Sequence, residues 1–294
     1  MSDRPAWEKE GRDWPNRASS RFVSAAGLRW HVQVMGQGPV VLLLHGTAAA
    51  THSWRDLMPA LARHFTVVAP DLPGHGFTAP PSPQGLTLAG MAAAIRALLD
   101  TLGLRPEVVA AHSAGAAVAL RLVLDGAIAP RLVVALNGAL SPMGRENADF
   151  FTRTARLLAG LPFVPQLFAW GAGNRNVASR LLRDTGSAIS AEGVEFYASL
   201  LRKPSHLASA LGMMASWDLR PLLRDLPGLK ARLVLVVGAN DRAIPPSEAE
   251  RVRAVLPAAR IITMPGLGHL AHEESPEETA RLILDLAEGG RAAA

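Results

Sequence analysis

Residues Val108 to Leu120 read VVAAHSAGAAVAL, an apolar run with one hydroxyl, Ser113, at its centre and a histidine directly before it. The segment Val108–Ala111 is a short apolar stretch of strand character, and Ala114–Leu124 continues with helical spacing. Strand, sharp turn, helix is the setting in which a serine can be presented as a nucleophile at the edge of a sheet. The residues two before and two after such a serine must be small, because the turn brings strand and helix backbones together. Here they are Ala111 and Gly115. The usual pattern has glycine at both positions, so this chain departs from it by one methyl. Taken alone, A-x-S-x-G leaves two readings open: a nucleophile, or a buried serine that bonds its own helix.

Working outward, the same alternation recurs. Gly27–Val34 reads as an early strand, and GPVVLLLHG at Gly38–Gly46 as one covered on both faces. Thr66–Ala69, Leu132–Leu136, Leu233–Val237 and Arg260–Thr263 repeat the signature. Helical stretches lie between them, at Leu88–Leu102, Ser247–Val255 and Pro276–Ala287. This order predicts an α/β fold with a mostly parallel sheet and helices on both faces. From 141 to 214 no strand is predicted, and prolines stand at Pro162, Pro165 and Pro204. We expect residues 1–140 and 215–294 to form the core and 141–214 a helical cap at the carboxyl end of the sheet, where open α/β sheets bind ligands.

Composition narrows the classes. The 294 residues include no cysteine, which removes disulfides, thiolate nucleophiles and cysteine metal sites, and fits a reducing, cytoplasmic setting. The charged start MSDRPAWEKEGRDWPNR has no apolar core of a secretory signal. No stretch reaches the roughly 18 apolar residues of a membrane span. The net charge of +5 comes from scattered arginines without a basic run, and aromatic residues are 5%, so a nucleic-acid partner is not expected. No glycine-rich phosphate loop precedes a lysine, and no two histidines fall at ligand spacing on one helix. No nucleotide, metal or other cofactor is therefore expected.

A serine nucleophile in this architecture requires an acid after a late strand and a histidine after the last one, in that order. LVLVVGANDRAIP places Asp241 in the loop after Leu233–Val237, and IITMPGLGHLAHEESP supplies His269. Serine, acid and histidine then stand at carboxyl ends of neighbouring strands. An oxyanion hole needs backbone N–H donors, and the N–H of Thr47, in HGTAAATHSW, and that of Ala114 are the expected pair. Trp54 either lines the pocket floor or packs beneath this loop.

The motifs HG at Gly46, DLPGHG at Asp71–Gly76, AHSAG at Ser113, GANDRAIP at Asp241 and GLGHLAHEESP at His269 together resemble the α/β-hydrolase superfamily over nearly the whole chain. Within it, DWPNRASSRFV, GLRWHVQVMG, LLLHGTAAATHSWRDL, PDLPGHGFT and HSAGAAVALRL resemble the BchO-type magnesium chelatase accessory proteins of bacteriochlorophyll biosynthesis. That resemblance implies photosynthetic tetrapyrrole metabolism, with magnesium chelatase subunits as partners. The related plant enzymes imply hydrolysis of chlorophyll esters. Dehalogenases and epoxide hydrolases of the superfamily carry an aspartate where Ser113 stands, whereas peroxidase-like, lactonase and C–C bond hydrolase activities share the triad.

Other polar residues read as structure. Asp71 is expected to bond turn amides, His45 and His75 to fix their loops, His112 to pack, and His272 to cap the last helix region with Glu274. RLLAGLPFVPQLFAWGAG at Arg156–Gly173 has no charge after Arg156. It forms cap core, lines an apolar pocket with Phe163, Phe168 and Trp170, or touches a membrane surface. Met213 and its neighbours Met143, Met214 and Trp217 add adaptable apolar surface or pack in the core. Arg145, Arg153, Arg175, Arg180, Arg183, Arg202 and Lys203 give the interval a basic character suited to porphyrin propionates. Two functions follow as expectations: a serine hydrolase acting on a hydrophobic ester, or a non-catalytic porphyrin-binding accessory with an inherited triad.

Overall fold

The computed structural model describes residues 3–142 and 174–289. A hairpin of β1 (Ser20–Ala25) and β2 (Leu28–Met35) turns through Ala26 and Gly27, both left-handed, the conformation that a two-residue hairpin loop demands. The sequence SRFVSA has no clean alternation, which is why β1 is not legible as a strand. Six further strands follow: β3 (Val40–Leu44), β4 (Thr66–Pro70), β5 (Pro106–His112), β6 (Leu132–Leu136), β7 (Arg232–Gly238) and β8 (Arg260–Met264). The sheet runs β1-β2-β4-β3-β5-β6-β7-β8. The strands β3 to β8 pair in parallel, and β2 pairs antiparallel to β4 and β1. The mostly parallel sheet is therefore as expected.

The helices are α1 (Trp7–Glu10), α2 (Leu57–Leu61), α3 (Leu88–Leu102), α4 (Ala114–Leu124), α5 (Arg175–Asp184), α6 (Ala191–Leu201), α7 (Pro204–Ser216), α8 (Arg220–Asp225), α9 (Ser247–Val255), α10 (Ala271–Glu274) and α11 (Pro276–Glu288). Because successive strand side chains point to opposite faces, the apolar runs split between two cores. Leu42, Leu44, Val109, Ala111, Val133 and Ala135 pack under α3 and α4. Val41, Leu43, Val108, Ala110, Val134 and Leu136 pack with Trp54, Leu57, Met58 and α11. Helix α3 starts where Thr87 Oγ1 accepts from the Gly90 N–H and ends at Gly103 in the left-handed region. The described part of the 141–214 interval is helical, in α5, α6 and α7.

The N-terminal segment is bound to the loop after β3. Trp14 is buried, donates from Nε1 to Thr51 Oγ1 (2.9 Å), and meets the rings of His52, Phe77 and Phe196 edge-on. Beneath the same loop lies a buried ion pair. Arg55 Nη1 donates to Glu273 Oε2 at 2.5 Å, while Ser53 Oγ and Tyr197 OH donate to Glu273 Oε1 at 2.6 and 2.7 Å. Burial pushes the Glu273 carboxyl up, and Arg55, Ser53 and Tyr197 oppose that shift.

Two stability measurements test this packing. A Cβ on Gly115 would lie 2.3 Å from the Leu44 carbonyl and 2.5 Å from that of His45, so Gly115→Ala must part α4 from β3. We expect a loss of about 1–3 kcal/mol in urea denaturation. Gly228→Ala enters open space and stays within ~0.5 kcal/mol. Arg55→Met leaves a buried carboxylate without its cation, at a cost of about 3–5 kcal/mol near neutral pH. With Arg55 gone the folded-state pKa of Glu273, already above its ordinary value near 4.5, rises further. Protonation then favours the fold, so the deficit shrinks below that pH and grows as pH rises through the folded-state value. Equal destabilisation at pH 4 and pH 8 would contradict this assignment.

Candidate active site

Ser113 occupies the turn between β5 and α4 with φ +51° and ψ −118°, a backbone conformation that a residue with a side chain holds only under constraint. The constraint is a set of main-chain bonds. The Ser113 N–H donates to Leu136 O (3.0 Å), and Ser113 O accepts from the N–H of Ala116 and Ala139, both at 3.1 Å. Ala111 is fully buried in β5, between Leu44 of β3 and Ala135 of β6, so its methyl fits within the core on that face of the sheet. Gly115 supplies the close approach of α4 to β3. The side chain of Ser113 makes no hydrogen bond with a described residue.

Asp241 follows β7 and His269 follows β8, and the fold joins them: His269 Nδ1 lies 2.8 Å from Asp241 Oδ2. Asp241 is saturated with donors. Its Oδ1 accepts from the N–H groups of Ala243 and Ile244, both at 2.8 Å, and Oδ2 also accepts from Asn137 Nδ2 at 2.7 Å. A carboxylate held this way is fixed in orientation and accepts from His269, which sets the imidazole tautomer: Nδ1 carries the proton and Nε2 is left as an acceptor. The His269 side chain is 11% exposed and Nε2 has no described partner.

Three further contacts hold the His269 loop. His112 Nε2 donates to His269 O (2.9 Å), and its ring stands 4.7 Å from that of His269. Glu274 Oε1 accepts from Gly268 N–H and Ser187 Oγ from Leu270 N–H, each at 2.9 Å. Burial and the neighbouring histidines hold His112 well below the ordinary histidine range, so it is neutral. Asn137, Ser187 and Glu274 were not picked out from the sequence as parts of this site. Asn137 is the first polar residue after the buried strand β6, the one signal that could have marked it.

The loop after β3 meets the serine from the other side. A Cβ on Gly46 would lie 3.0 Å from Ser113 Cβ and 2.8 Å from His112 Nδ1, so glycine is needed for this approach. The following N–H, that of Thr47, and that of Ala114 donate to no described group.

The expectations for Trp54 and Met213 as substrate contacts and for His272 as a cap are corrected; the other residues fall as follows. Trp54 is fully buried in the core, with its ring against His272 (4.7 Å), and offers no surface to a substrate. Met213 is 1% exposed and packs in the cluster of α3 and α4. His272 does not cap a helix: it is buried with Nε2 on Ser53 Oγ at 2.8 Å, and burial pushes it down to about 3. Phe163, Phe168 and Trp170 lie outside the described residues, as do Met143, Arg145 and Arg153. Lys203 is buried against Glu10, and Arg180 and Arg202 pair with Asp184 and Glu195. Asp71 bonds turn amides, accepting from Thr51 N–H (2.7 Å) and Phe77 N–H (2.9 Å), and also meets His31 Nδ1 at 2.8 Å. Burial alone would raise its carboxyl, but His31 and these donors hold it well below the usual range. His45 bonds Gly46 O and Leu72 N–H, and His75 bonds Pro73 O. Among the described residues no group of histidines and carboxylates could hold a metal ion, and no helix is long and apolar enough to cross a membrane.

The sequence profile of the alpha/beta hydrolase family matches residues 41–282. The magnesium-chelatase 30 kDa subunit of Rhodobacter capsulatus is 37% identical over 279 residues, covering 94% of this chain and 97% of that one. The 2-hydroxy-6-oxo-2,4-heptadienoate hydrolase of Pseudomonas putida is 26% identical, over 92% of this chain and 96% of the relative. Among solved structures, an alpha/beta hydrolase fold protein from Burkholderia ambifaria superposes with a TM-score of 0.74 at 24% identity, covering 90% of this chain and 99% of its own. With its strand order, its turn at Ser113 and its matched residues, the chain belongs to the α/β-hydrolase family and, within it, resembles the magnesium-chelatase 30 kDa subunit.

Proposed function

We propose that the protein is a serine hydrolase that cleaves a carboxylic ester of a hydrophobic substrate through Ser113, His269 and Asp241. The observation that carries this reading is the 2.8 Å bond between His269 and a four-donor Asp241, at the carboxyl edge of the sheet that presents Ser113 at positive φ. A binding role gives no physical reason to hold an imidazole in that tautomer at the same sheet edge as a strained serine.

In the proposed reaction His269 Nε2 takes the Ser113 Oγ proton as Oγ bonds to the ester carbonyl carbon. The carbonyl oxygen becomes an oxyanion and accepts from the N–H groups of Thr47 and Ala114. The imidazolium, stabilised by Asp241, gives its proton to the leaving alcohol oxygen as the C–O bond breaks. Water, deprotonated by His269, then attacks the acyl-serine, and the carboxylic acid leaves as the proton returns to Ser113 Oγ. Residues 141–214 serve as a cap over this site, and the uncharged stretch after Arg156 supports an apolar substrate. The 37% likeness to a magnesium-chelatase subunit, with the BchO-like motifs, supports a tetrapyrrole as the substrate class, and the proposed place of action is cytoplasmic.

That same likeness favours a second reading, an accessory that binds a porphyrin or the chelatase without catalysis. Labelling with a fluorophosphonate probe separates the two. We expect the wild type to label, and Ser113→Ala and His269→Ala to lose labelling and about 10⁴- to 10⁶-fold in ester turnover. A folded wild-type protein that does not label would replace the hydrolase reading with the accessory one. Asn137→Ala removes one of the four donors on Asp241. It should lower kcat by about 10- to 100-fold, the worth of a hydrogen bond to a charged group, with KM little changed.

A further inference from the structure

The cap-side helix α7 sends one fully buried side chain, His206, between two loops of the core. Its Nδ1 accepts from the Gly76 N–H at 3.0 Å, and its Nε2 lies 3.1 Å from the Ala48 carbonyl oxygen. An amide N–H can only donate, so Nδ1 carries no proton. Nε2 therefore does, and donates to Ala48. Burial pushes His206 down to about 4, which keeps this neutral form in place across the physiological range.

Ala48 belongs to the tight turn that holds Thr47. Ala49 N–H bonds back to Gly46 O at 3.3 Å, and Ala48 itself is left-handed at φ +61°. The Ala48–Ala49 peptide is thus held at its N–H by Gly46 and at its carbonyl by His206. Thr47 N–H lies inside the turn so fixed. The docking is close: a Cβ on Gly74 would lie 2.3 Å from Ser209 Oγ of α7, and the His75 and His206 rings stand 5.3 Å apart. The start of α7 is anchored in turn by Lys203 on Glu10 and by Ser205 N–H on Asp3 O (3.1 Å).

We propose that His206 is a positioning residue that couples the seating of α7 to the oxyanion loop, so that the Thr47 donor is aligned with Ser113 only while α7 is docked. This rests on the serine-hydrolase reading. The imidazole reaches the oxyanion loop through one arm, Nε2 to Ala48, and the loop around Gly76 through the other. The two arms are separable, because an asparagine amide places its oxygen near the position of Nδ1 and a glutamine amide places its nitrogen near that of Nε2.

The test compares wild type, His206→Asn, His206→Gln and Ser209→Ala, using p-nitrophenyl butyrate hydrolysis, the rate of fluorophosphonate labelling and thermal denaturation. His206→Asn keeps the Gly76 arm and loses the Ala48 arm. It should lose about 10- to 100-fold in kcat and in labelling rate with KM unchanged, below the roughly 10²- to 10³-fold cost of deleting an oxyanion donor outright. His206→Gln keeps the Ala48 arm and should stay within about 5-fold of wild type, and Ser209→Ala should match it. Equal losses in both His206 variants, with a raised KM and a lowered Tm, would reduce His206 to a packing residue and overturn the proposal. So would a His206→Asn protein that labels as fast as wild type. A folded wild type that never labels would instead overturn the hydrolase reading itself, and this proposal with it.

Discussion

The close crossing of α4 over β3 governs the geometry of the whole carboxyl edge. At Gly115 the helix backbone approaches the carbonyls of Leu44 and His45 so nearly that a methyl group would collide with them. To reach that position the chain must leave β5 and reverse in a single residue, which puts Ser113 at φ +51°. The turn is stable because it is over-determined: Leu136, Ala116 and Ala139 all bond the Ser113 main chain. Strain of this kind persists where surrounding structure enforces it, and it leaves the hydroxyl at the edge of the sheet rather than in the helix.

Once that residue is placed, the parallel strand order does the rest. Loops after β3, β5, β6, β7 and β8 all emerge at the same edge. They bring Gly46 against Ser113, Asn137 against Asp241 and His112 against the His269 carbonyl. None of these contacts is local in the chain, yet each is short. Polar side chains buried there are held by specific partners, and the histidines His112, His206 and His272 are kept neutral by burial, so the site has a fixed pattern of donors and acceptors.

The fold by itself does not decide between hydrolysis and binding, since one architecture hosts many functions. The hydrolase proposal rests on the saturated Asp241 and the tautomer it imposes on His269. The likeness to a magnesium-chelatase subunit is what keeps the accessory reading beside it. The described helices of the 141–214 interval matter to both readings, because α7 bonds the loop after β3, which approaches Ser113.

Local physics made much of this legible in the sequence. Apolar runs bounded by glycines mark strands covered on both faces, helical spacing fixes α3, α4 and α9 to their observed limits, and small residues around Ser113 mark the turn. The order serine, aspartate, histidine after β5, β7 and β8 picks out Asp241 and His269, which meet. What the sequence left undecided are matters of distant encounter. Whether Trp54 and Met213 face a ligand or the core, whether His272 caps a helix or bonds Ser53, and that Asn137 and His206 reach the site at all depend on partners far apart in the chain. Periodicity and turn chemistry act over a few residues, whereas the environment of a buried polar group is set by which loops the tertiary structure brings together.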